Sequence, residues 1–370
     1  MPPTALPTDP RDALAAPLPD REGALALSHL AGVGPRTWRA LVTAHAGDAD
    51  AAAAHRRVSS DEWAAARRAA RAVLADADAR GVALLLPGDA AYPAALLDLP
   101  DPPVTLYALG DPTLLAHAPR VAVVGTRQYT PLGERTTRRL VAALAEAGAV
   151  VVSGLARGID TVAHAAAFAE GLPTVAVLGT GIDVPYPAQN TALYRRIAAE
   201  GCVVAESAPG TTATPGAFPR RNRIVAALAD LVVVVEAGLK SGALITAGIA
   251  ADLGRPVAAA PGSVESPTAA GTNLLLRDGA HVLADVRDVL GLLGSPTPRA
   301  PAPPAASVEP DGLTDDEQAV WRALATPAPD PDVLAARAAL SARRCAAALA
   351  TLELRGCVAV DLLGEVRRDG

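Results

Sequence analysis

Short runs of valine and other apolar residues alternate with helical patterns between Arg120 and Leu290, and this alternation constrains the fold more than any other feature. The apolar runs are nearly continuous, as is typical of parallel strands that are covered on both faces. Strands and helices that strictly alternate favour an open, doubly wound α/β sheet of the Rossmann-like kind. The predicted strands lie at residues 120–124, 150–153, 174–178, 202–205, 231–235 and 256–260.

The flanking segments predict smaller units. Residues 1–22 are rich in Pro, Ala and Asp and are expected to form a disordered tail. Residues 23–108 combine short helices, in a helix-hairpin-helix or SAM-like pattern, with a lead-in segment. The predicted Rossmann-like domain, 109–292, precedes a Pro- and Ala-rich linker, 293–312, and a winged-helix-like domain, 313–370.

Charge is distributed unevenly along the chain. The net charge of −6 excludes a protein that binds nucleic acid over its whole surface. Residues 120–290 nevertheless hold 14 Arg and one Lys against 14 Asp plus Glu, so a polyanion site is expected there as a local patch. The 313–370 unit holds 7 Arg against 9 Asp plus Glu, so protein docking is favoured for it at least as much as DNA binding.

Polar residues and glycines follow the predicted strand ends, where ligands bind in open parallel sheets. Glycine permits a close backbone approach, and helix-start amides and cations supply positive potential for phosphate or another polyanion. The candidate binding residues are Gly125, Thr126, Arg127, Ser153, Gly154, Arg157, Gly158, Arg220, Arg221, Asn222, Arg223, Lys240, Ser241 and Gly242.

The cluster at residues 220–223 is the densest group of cations among these candidates. It is predicted to open a helix that leads into the strand at 231–235, and Lys240, the only lysine of the sequence, follows that strand. Guanidinium groups at a helix start beside a strand end suit a phosphate ligand.

Motifs of several enzyme classes are missing. The dinucleotide fingerprint G-x-G-x-x-G is absent after the first strand, and Leu239 stands where a phosphate loop needs glycine before Lys240. The three cysteines lack metal-ligand spacing, which fits a reducing cytoplasm, and no apolar run approaches the roughly 20 residues that span a bilayer. No catalytic residue, metal or cofactor is therefore predicted. A structural hydrogen bond is preferred over acid/base chemistry for Asp160 and His164, and Glu236 is expected to orient Lys240 or an arginine.

The serial order of these motifs resembles the DNA-processing protein A (DprA/Smf) family. The matching segments include residues 124–127, 153–160, 177–183, 186–190, 218–224 and 240–246. The resemblance implies a non-enzymatic cytoplasmic protein that binds and protects single-stranded DNA and loads the RecA recombinase onto it during natural transformation. It also implies that the protein acts as a homodimer.

The resemblance assigns phosphate contacts to Arg127, Arg221, Arg223 and Lys240. Asn222 would bond a base edge or a neighbouring loop. Many members carry a basic residue near position 187, whereas this chain has Ala188, a loss that Arg195 or Arg196 would offset. The aromatic residues available for stacking are Tyr129, Tyr186 and Phe218.

Two other functions compete with this interpretation. One is a nucleotide-processing enzyme related to phosphoribohydrolases, whose P-G-G-x-G-T-x-x-E signature is missing at residues 236–243. The other is an interaction scaffold that binds neither single-stranded nor double-stranded DNA.

Overall fold

The computed structural model describes residues 18–294, 310, 312–324, 328, 330–355, 357–360 and 366–368. It divides into two compact units, 1–297 and 298–370. Of the predicted tail, residues 1–17 lie outside the described residues, and the first helix has already begun at Arg21. Residues 295–309 of the predicted linker also lie outside them.

The first unit is built on one nine-stranded sheet, whose strands are β1 Ala83–Leu85, β2 Leu106–Gly110, β3 Arg120–Val124, β4 Val150–Ser153, β5 Thr174–Gly181, β6 Cys202–Ser207, β7 Leu231–Val234, β8 Val257–Ala259 and β9 His281–Val282. Their order in the sheet is β1-β2-β6-β5-β4-β3-β7-β8-β9. β1 and β2 are antiparallel to their neighbours, and all the other pairs are parallel. The boundary expected at residues 108/109 falls inside β2, so the lead-in segment is part of this sheet.

The chain winds the parallel strands in two directions from the middle of the sheet. From β3 it builds outward to β6, and it then crosses back to β7 and builds outward to β9. Every residue of β5 and β7 is buried, which confirms strands covered on both faces. The predicted doubly wound sheet is therefore present, with β9 as a further parallel strand.

Helices cover both faces of this sheet. Leu140 and Ile159 pack in one apolar cluster with Val121, while Ile224 and Ala247 pack in another on the opposite side. The helices of the first unit are α1 Arg21–His29, α2 Pro35–Ala44, α3 Ala49–His55, α4 Ser60–Ala79, α5 Pro131–Ala145, α6 Ile159–Ala169, α7 Thr191–Glu200, α8 Ala217–Leu228, α9 Gly242–Asp252, α10 Ala270–Arg277 and α11 Asp288–Leu292.

The helical region forms the outer part of the first unit. Trp38 of α2 donates from its indole nitrogen to the Ala24 carbonyl, 2.8 Å away, and Gly32 takes a φ of 73° in the turn between α1 and α2. That left-handed conformation favours glycine. At the end of α4, Arg80 forms an ion pair of 3.2 Å with Asp183 beyond β5, which ties the helical region to the sheet.

The second unit is a winged-helix fold. Its elements are α12 Asp315–Ala323, α13 Pro331–Arg337, α14 Ala342–Leu354, β10 Val358–Val360 and β11 Val366–Arg368. β10 and β11 pair as an antiparallel hairpin, as predicted, although Gly364, at its predicted tip, lies outside the described residues. Trp321, Leu334 and Leu352 from the three helices share one buried core.

Candidate functional site

An open cavity of about 670 Å³ lies where the winding of the sheet reverses, at the carboxyl ends of β3 and β7. Parallel sheets bind ligands at this position because the loops after the two strands diverge to opposite faces. Of the candidate binding residues, the cavity is lined by Gly125, Thr126, Arg127, Gly154, Arg221, Asn222, Lys240, Ser241 and Gly242.

Two glycines let the loops at this edge pack against each other. A Cβ atom on Gly125 would lie 2.6 Å from Cγ1 of Ile159, and one on Gly158 would lie 2.1 Å from the Thr126 carbonyl oxygen. Gly158 also has a φ of 92°. The contact of the loops after β3 and β4 fixes the backbone beside Arg127.

Three cations at this edge of the sheet are exposed. Within the described part of the chain, Arg127, Arg157 and Lys240 take part in no ion pair. Arg127 lies over the ring of Phe218, with its guanidinium carbon 5.6 Å from the ring centroid, and the Phe218 and Tyr186 rings are 5.1 Å apart. The cations therefore adjoin an aromatic pair.

A second cavity of about 260 Å³ continues from the first around this aromatic pair. Arg127, Gly154, Phe218 and Arg221 line both cavities. The second one adds Arg157, Gly179, Tyr186, Pro187 and Gln189. Sequence reasoning missed Gln189, although its place in the Tyr-Pro-Ala-Gln-Asn segment was a usable signal.

Arg221 is buried, in contrast to the exposed cations. Its Nη1 donates to the carbonyl oxygens of Gly154 and Val177, and its Nε donates to Oδ1 of Asn222 at 3.3 Å. Burial lowers the pKa of Arg221 to about 10, although nearby Asp160 opposes that effect. Arg221 therefore joins β5 to the loop after β4, and only an edge of it lines the cavities.

The amide of Asn222 organises the loop that carries Lys240. Its Nδ2 donates to the Gly242 carbonyl oxygen at 3.1 Å, so the neighbouring-loop alternative is the contact observed. Ser241 caps α9 by accepting a hydrogen bond from the Ala243 amide. Asn222 thus positions the first turn of α9 at the cavity.

The position of Arg223 corrects the expectation that it contacts phosphate. Its Nη2 lies 2.6 and 2.7 Å from the two carboxylate oxygens of Glu206, its side chain is 8% exposed, and it does not line the cavity. Arg220 is exposed but also pairs with Glu206, at 3.1 Å. Because α8 begins at Ala217, the cluster lies inside the helix rather than at its start.

Ser153 is also internal to the fold. Its hydroxyl is fully buried and donates to the Val123 carbonyl oxygen at 2.7 Å. Ser153 therefore stabilises the pairing of β3 with β4 and does not line either cavity.

Asp160 and His164 have structural partners, in line with the preferred interpretation. Asp160 accepts hydrogen bonds from the amides of Gly154 and Ala156, and burial raises its pKa while Arg221 opposes the shift. His164 shares a hydrogen bond of 2.7 Å with Thr174, and burial together with Arg221 lowers the pKa of His164 to about 3. His164 is therefore neutral at ordinary pH.

The expected role of Glu236 was wrong. Its carboxylate accepts hydrogen bonds from the amide and hydroxyl of Thr130 at the start of α5 and does not orient Lys240. The Thr130-Pro131 pair, an N-cap followed by proline, was the sequence signal for this helix start.

The cations expected to offset Ala188 differ in their surroundings. Arg196 pairs with Glu200 and lies over Phe168, 4.1 Å from its ring centroid. Arg195 is exposed, and neither arginine lines a described cavity.

Two family models match the sequence. The model of DNA recombination-mediator protein A matches residues 83–294, more than half of the chain, and that of the DprA winged helix domain matches residues 295–361. The chain belongs to the DNA recombination-mediator protein A (DprA) family.

Relatives are found among curated proteins. The putative DNA processing protein DprA of Mycobacterium tuberculosis H37Rv is 48% identical over 227 residues, which are 60% of this chain and 57% of that protein. The DprA of Streptococcus pneumoniae R6 is 42% identical over 55% of this chain and 71% of its own length. The chain therefore spans little more than half the length of the Mycobacterium tuberculosis relative.

Solved structures of the family share the fold. The DprA of Streptococcus pneumoniae aligns with a TM-score of 0.59 and 31% identity over 77% of this chain and 98% of that one. The DNA processing protein A of Helicobacter pylori, which has been solved to explain how that protein binds single-stranded DNA, aligns with a TM-score of 0.53 and 33% identity. The alignment covers 57% of this chain and 95% of that one.

Proposed function

We propose that this chain binds single-stranded DNA in the cavity at the carboxyl edge of its sheet and loads the RecA recombinase onto that strand. The observation that carries the proposal is a group of three exposed cations, Arg127, Arg157 and Lys240, which have no ion pair among the described residues and lie beside the Phe218–Tyr186 pair. Cations that follow a backbone, combined with aromatic platforms for bases, are the usual means of binding single strands.

The position of the aromatic pair favours single-stranded over duplex DNA. Phe218 lies partly buried between the two cavities, with Arg127 over its ring. A base reaches this platform only when it is free of its partner strand. Phosphates on either side would then lie against Arg157 and Lys240, so affinity is expected to fall steeply with salt.

The comparisons support the DNA-binding part of this proposal, because the Helicobacter pylori relative has a single-stranded DNA binding mode. The proposal also includes four properties that rest on the family resemblance. These are RecA loading during natural transformation, action as a homodimer, a cytoplasmic location and the lack of enzymatic activity. No helix in the described part of the chain is long and apolar enough to cross a membrane.

Fluorescence anisotropy with labelled oligo-dT and a duplex of equal length tests DNA binding. The wild-type protein should bind the single strand more tightly, and Lys240→Ala should flatten the salt slope by about 0.7, the contribution of one single-strand phosphate. Arg68→Ala, which removes an exposed cation on α4, is the control and should change nothing. The proposal is contradicted if the protein binds the single strand and the duplex equally, or if it binds neither.

RecA loading is tested by the rate at which RecA filaments form on protein-coated DNA. The full chain and a truncation after Gly294, which keeps the described part of the first unit, should both accelerate filament formation if the sheet unit carries this activity. Incubation with AMP should release no adenine. Release of adenine would favour the enzymatic alternative.

A further inference from the structure

A row of exposed side chains leads away from the cavity along α5. Tyr129, in the loop after β3, is 41% exposed, and Leu132, in the first turn of α5, is 58% exposed. Arg135 and Arg139 are also exposed, and within the described residues neither has an ion pair. We call Tyr129, Leu132, Arg135 and Arg139 the α5 stripe.

Helical geometry places the last three members of the stripe on one face. Leu132, Arg135 and Arg139 are spaced i, i+3 and i+7, which aligns them along one side of a helix. The buried side of α5 carries residues such as Leu140 and Leu144, so the stripe points away from the sheet. Arg135 and Arg139 are separated along the helix by about 6 Å, the same order as the distance between successive phosphates of a strand.

The charges along α5 favour an anionic occupant. Glu134 is paired with Arg138, at 2.8 Å, and Glu146, at the end of the helix, is paired with Arg287, at 2.7 Å. The acidic side chains of this helix are therefore neutralised by partners, whereas the two arginines of the stripe have no ion pair in the part of the chain that the structure describes.

The stripe begins next to the cavity. Tyr129 lies two residues after Arg127, which lines both cavities. An exposed aromatic and an exposed leucine beside cations without ion pairs repeat the combination found in the cavity, and they suit unpaired bases joined by phosphates.

We propose that the α5 stripe binds the segment of single-stranded DNA that continues from the cavity past Arg127. This inference rests on the proposed function, because it extends the path of the same strand. The stripe lengthens the footprint on DNA and is needed only when the strand is longer than the cavity.

Oligonucleotide length separates the two sites. Affinities are measured for oligo-dT of about 4 and about 20 nucleotides, a range that brackets common single-strand footprints. Arg135→Ala/Arg139→Ala should leave the short oligonucleotide unaffected and weaken the long one. Because this variant removes two phosphate-binding cations, the salt slope for the long one should flatten by about 1.4, so the wild-type advantage should shrink about sevenfold between 50 and 200 mM salt.

The matched control removes the same charge elsewhere. Arg68→Ala/Arg71→Ala acts on α4, where both side chains are exposed and Arg71 is ion-paired with Glu22 at 3.5 Å, and it should leave both oligonucleotides unaffected. All the substitutions are on exposed helix faces, and equal thermal unfolding temperatures exclude a folding defect.

The outcomes distinguish the two proposals. If the wild-type protein binds neither oligonucleotide, the proposed function fails. If it binds both but the α5 variant retains the wild-type affinity and salt slope for the long one, only the α5 stripe is overturned. The stripe is also overturned if the α5 variant weakens both oligonucleotides equally, since it would then not act on the extending segment.

Discussion

Gly154 and Arg221 occupy one buried space at the edge of the cavity. The guanidinium of Arg221 donates to the Gly154 carbonyl oxygen, and a Cβ atom on Gly154 would lie 2.5 Å from Nη2 of Arg221. The second bond of Arg221, to the Val177 carbonyl, prevents the guanidinium from moving aside. Residue 154 must therefore lack a side chain for the Arg221 guanidinium to occupy this position.

Gly154→Ala should lower the free energy of unfolding by about 1–3 kcal/mol, the usual cost of overpacking, and should weaken DNA binding by shifting the backbone of residue 154, which lines both cavities. Urea unfolding measures the first effect. Gly248→Ala is the control, because its added Cβ in α9 would meet no described atom within 4 Å beyond its chain neighbours and the adjacent backbone of its own helix, and alanine favours a helix. Unchanged stability in Gly154→Ala would contradict the steric conflict between the added Cβ atom and Arg221.

Arg221→Ala and Lys240→Ala should differ in kind. Loss of Arg221 leaves Asp160 without its buried cation and two carbonyl groups without a donor, and should cost about 3–5 kcal/mol of folding stability. Lys240 is exposed, so its removal should change stability by less than about 0.5 kcal/mol. Urea titrations test this contrast, and equal stabilities would refute it.

Arg223→Met should destabilise the fold by about 3 kcal/mol, because the carboxylate of Glu206 loses a buried partner. The salt slope of oligo-dT binding should remain that of the wild type, since Arg223 lies outside the cavity. Arg220→Ala, which breaks an exposed pair with the same carboxylate, should cost at most about 1 kcal/mol. A flattened salt slope in Arg223→Met would instead support a contact between Arg223 and the DNA phosphates.

Phe218→Leu should weaken single-strand binding by about 1–3 kcal/mol, the usual contribution of base stacking, without altering the salt slope. The sequence contains one other phenylalanine, Phe168, whose ring contacts Arg196 away from both cavities. Phe168→Leu is therefore a matched control that should bind DNA normally. Equal losses of affinity in both variants would remove the case for stacking on Phe218.

His164 predicts how stability depends on pH. Its pKa is about 3 in the folded protein and near 6.5 when unfolded, so between these values the unfolded state binds more protons. Stability should therefore fall as the pH drops below 6.5, by up to about 1.4 kcal/mol per pH unit from this group. In urea unfolding between pH 7 and 5, His164→Gln should show a flatter dependence than the wild type. If stability depends on pH in the same way in both proteins, His164 does not cause the loss of stability at low pH.

Local patterns were sufficient for the strands but not for every helix start. The buried valine runs predicted β3, β4 and β7 to within one residue, because strands covered on both faces need continuous apolar sequence. The apolar pattern predicts α5 only from Leu140, nine residues after its actual start at Pro131, because the first turns of the helix expose polar residues and weaken that pattern.

The fold class, the family and the edge of the sheet that carries the cavity could be inferred from the sequence alone, because the apolar runs, their alternation with helices along the chain and the loop motifs are local features. Which of the cations remain exposed depends on tertiary contacts. Arg127 and Lys240 face the cavity, whereas Arg221 and Arg223 are buried by carbonyl groups and by Glu206, which lie distant in the sequence. Adjacent arginines look alike in sequence, and their roles differ because helix α8 turns them toward different partners.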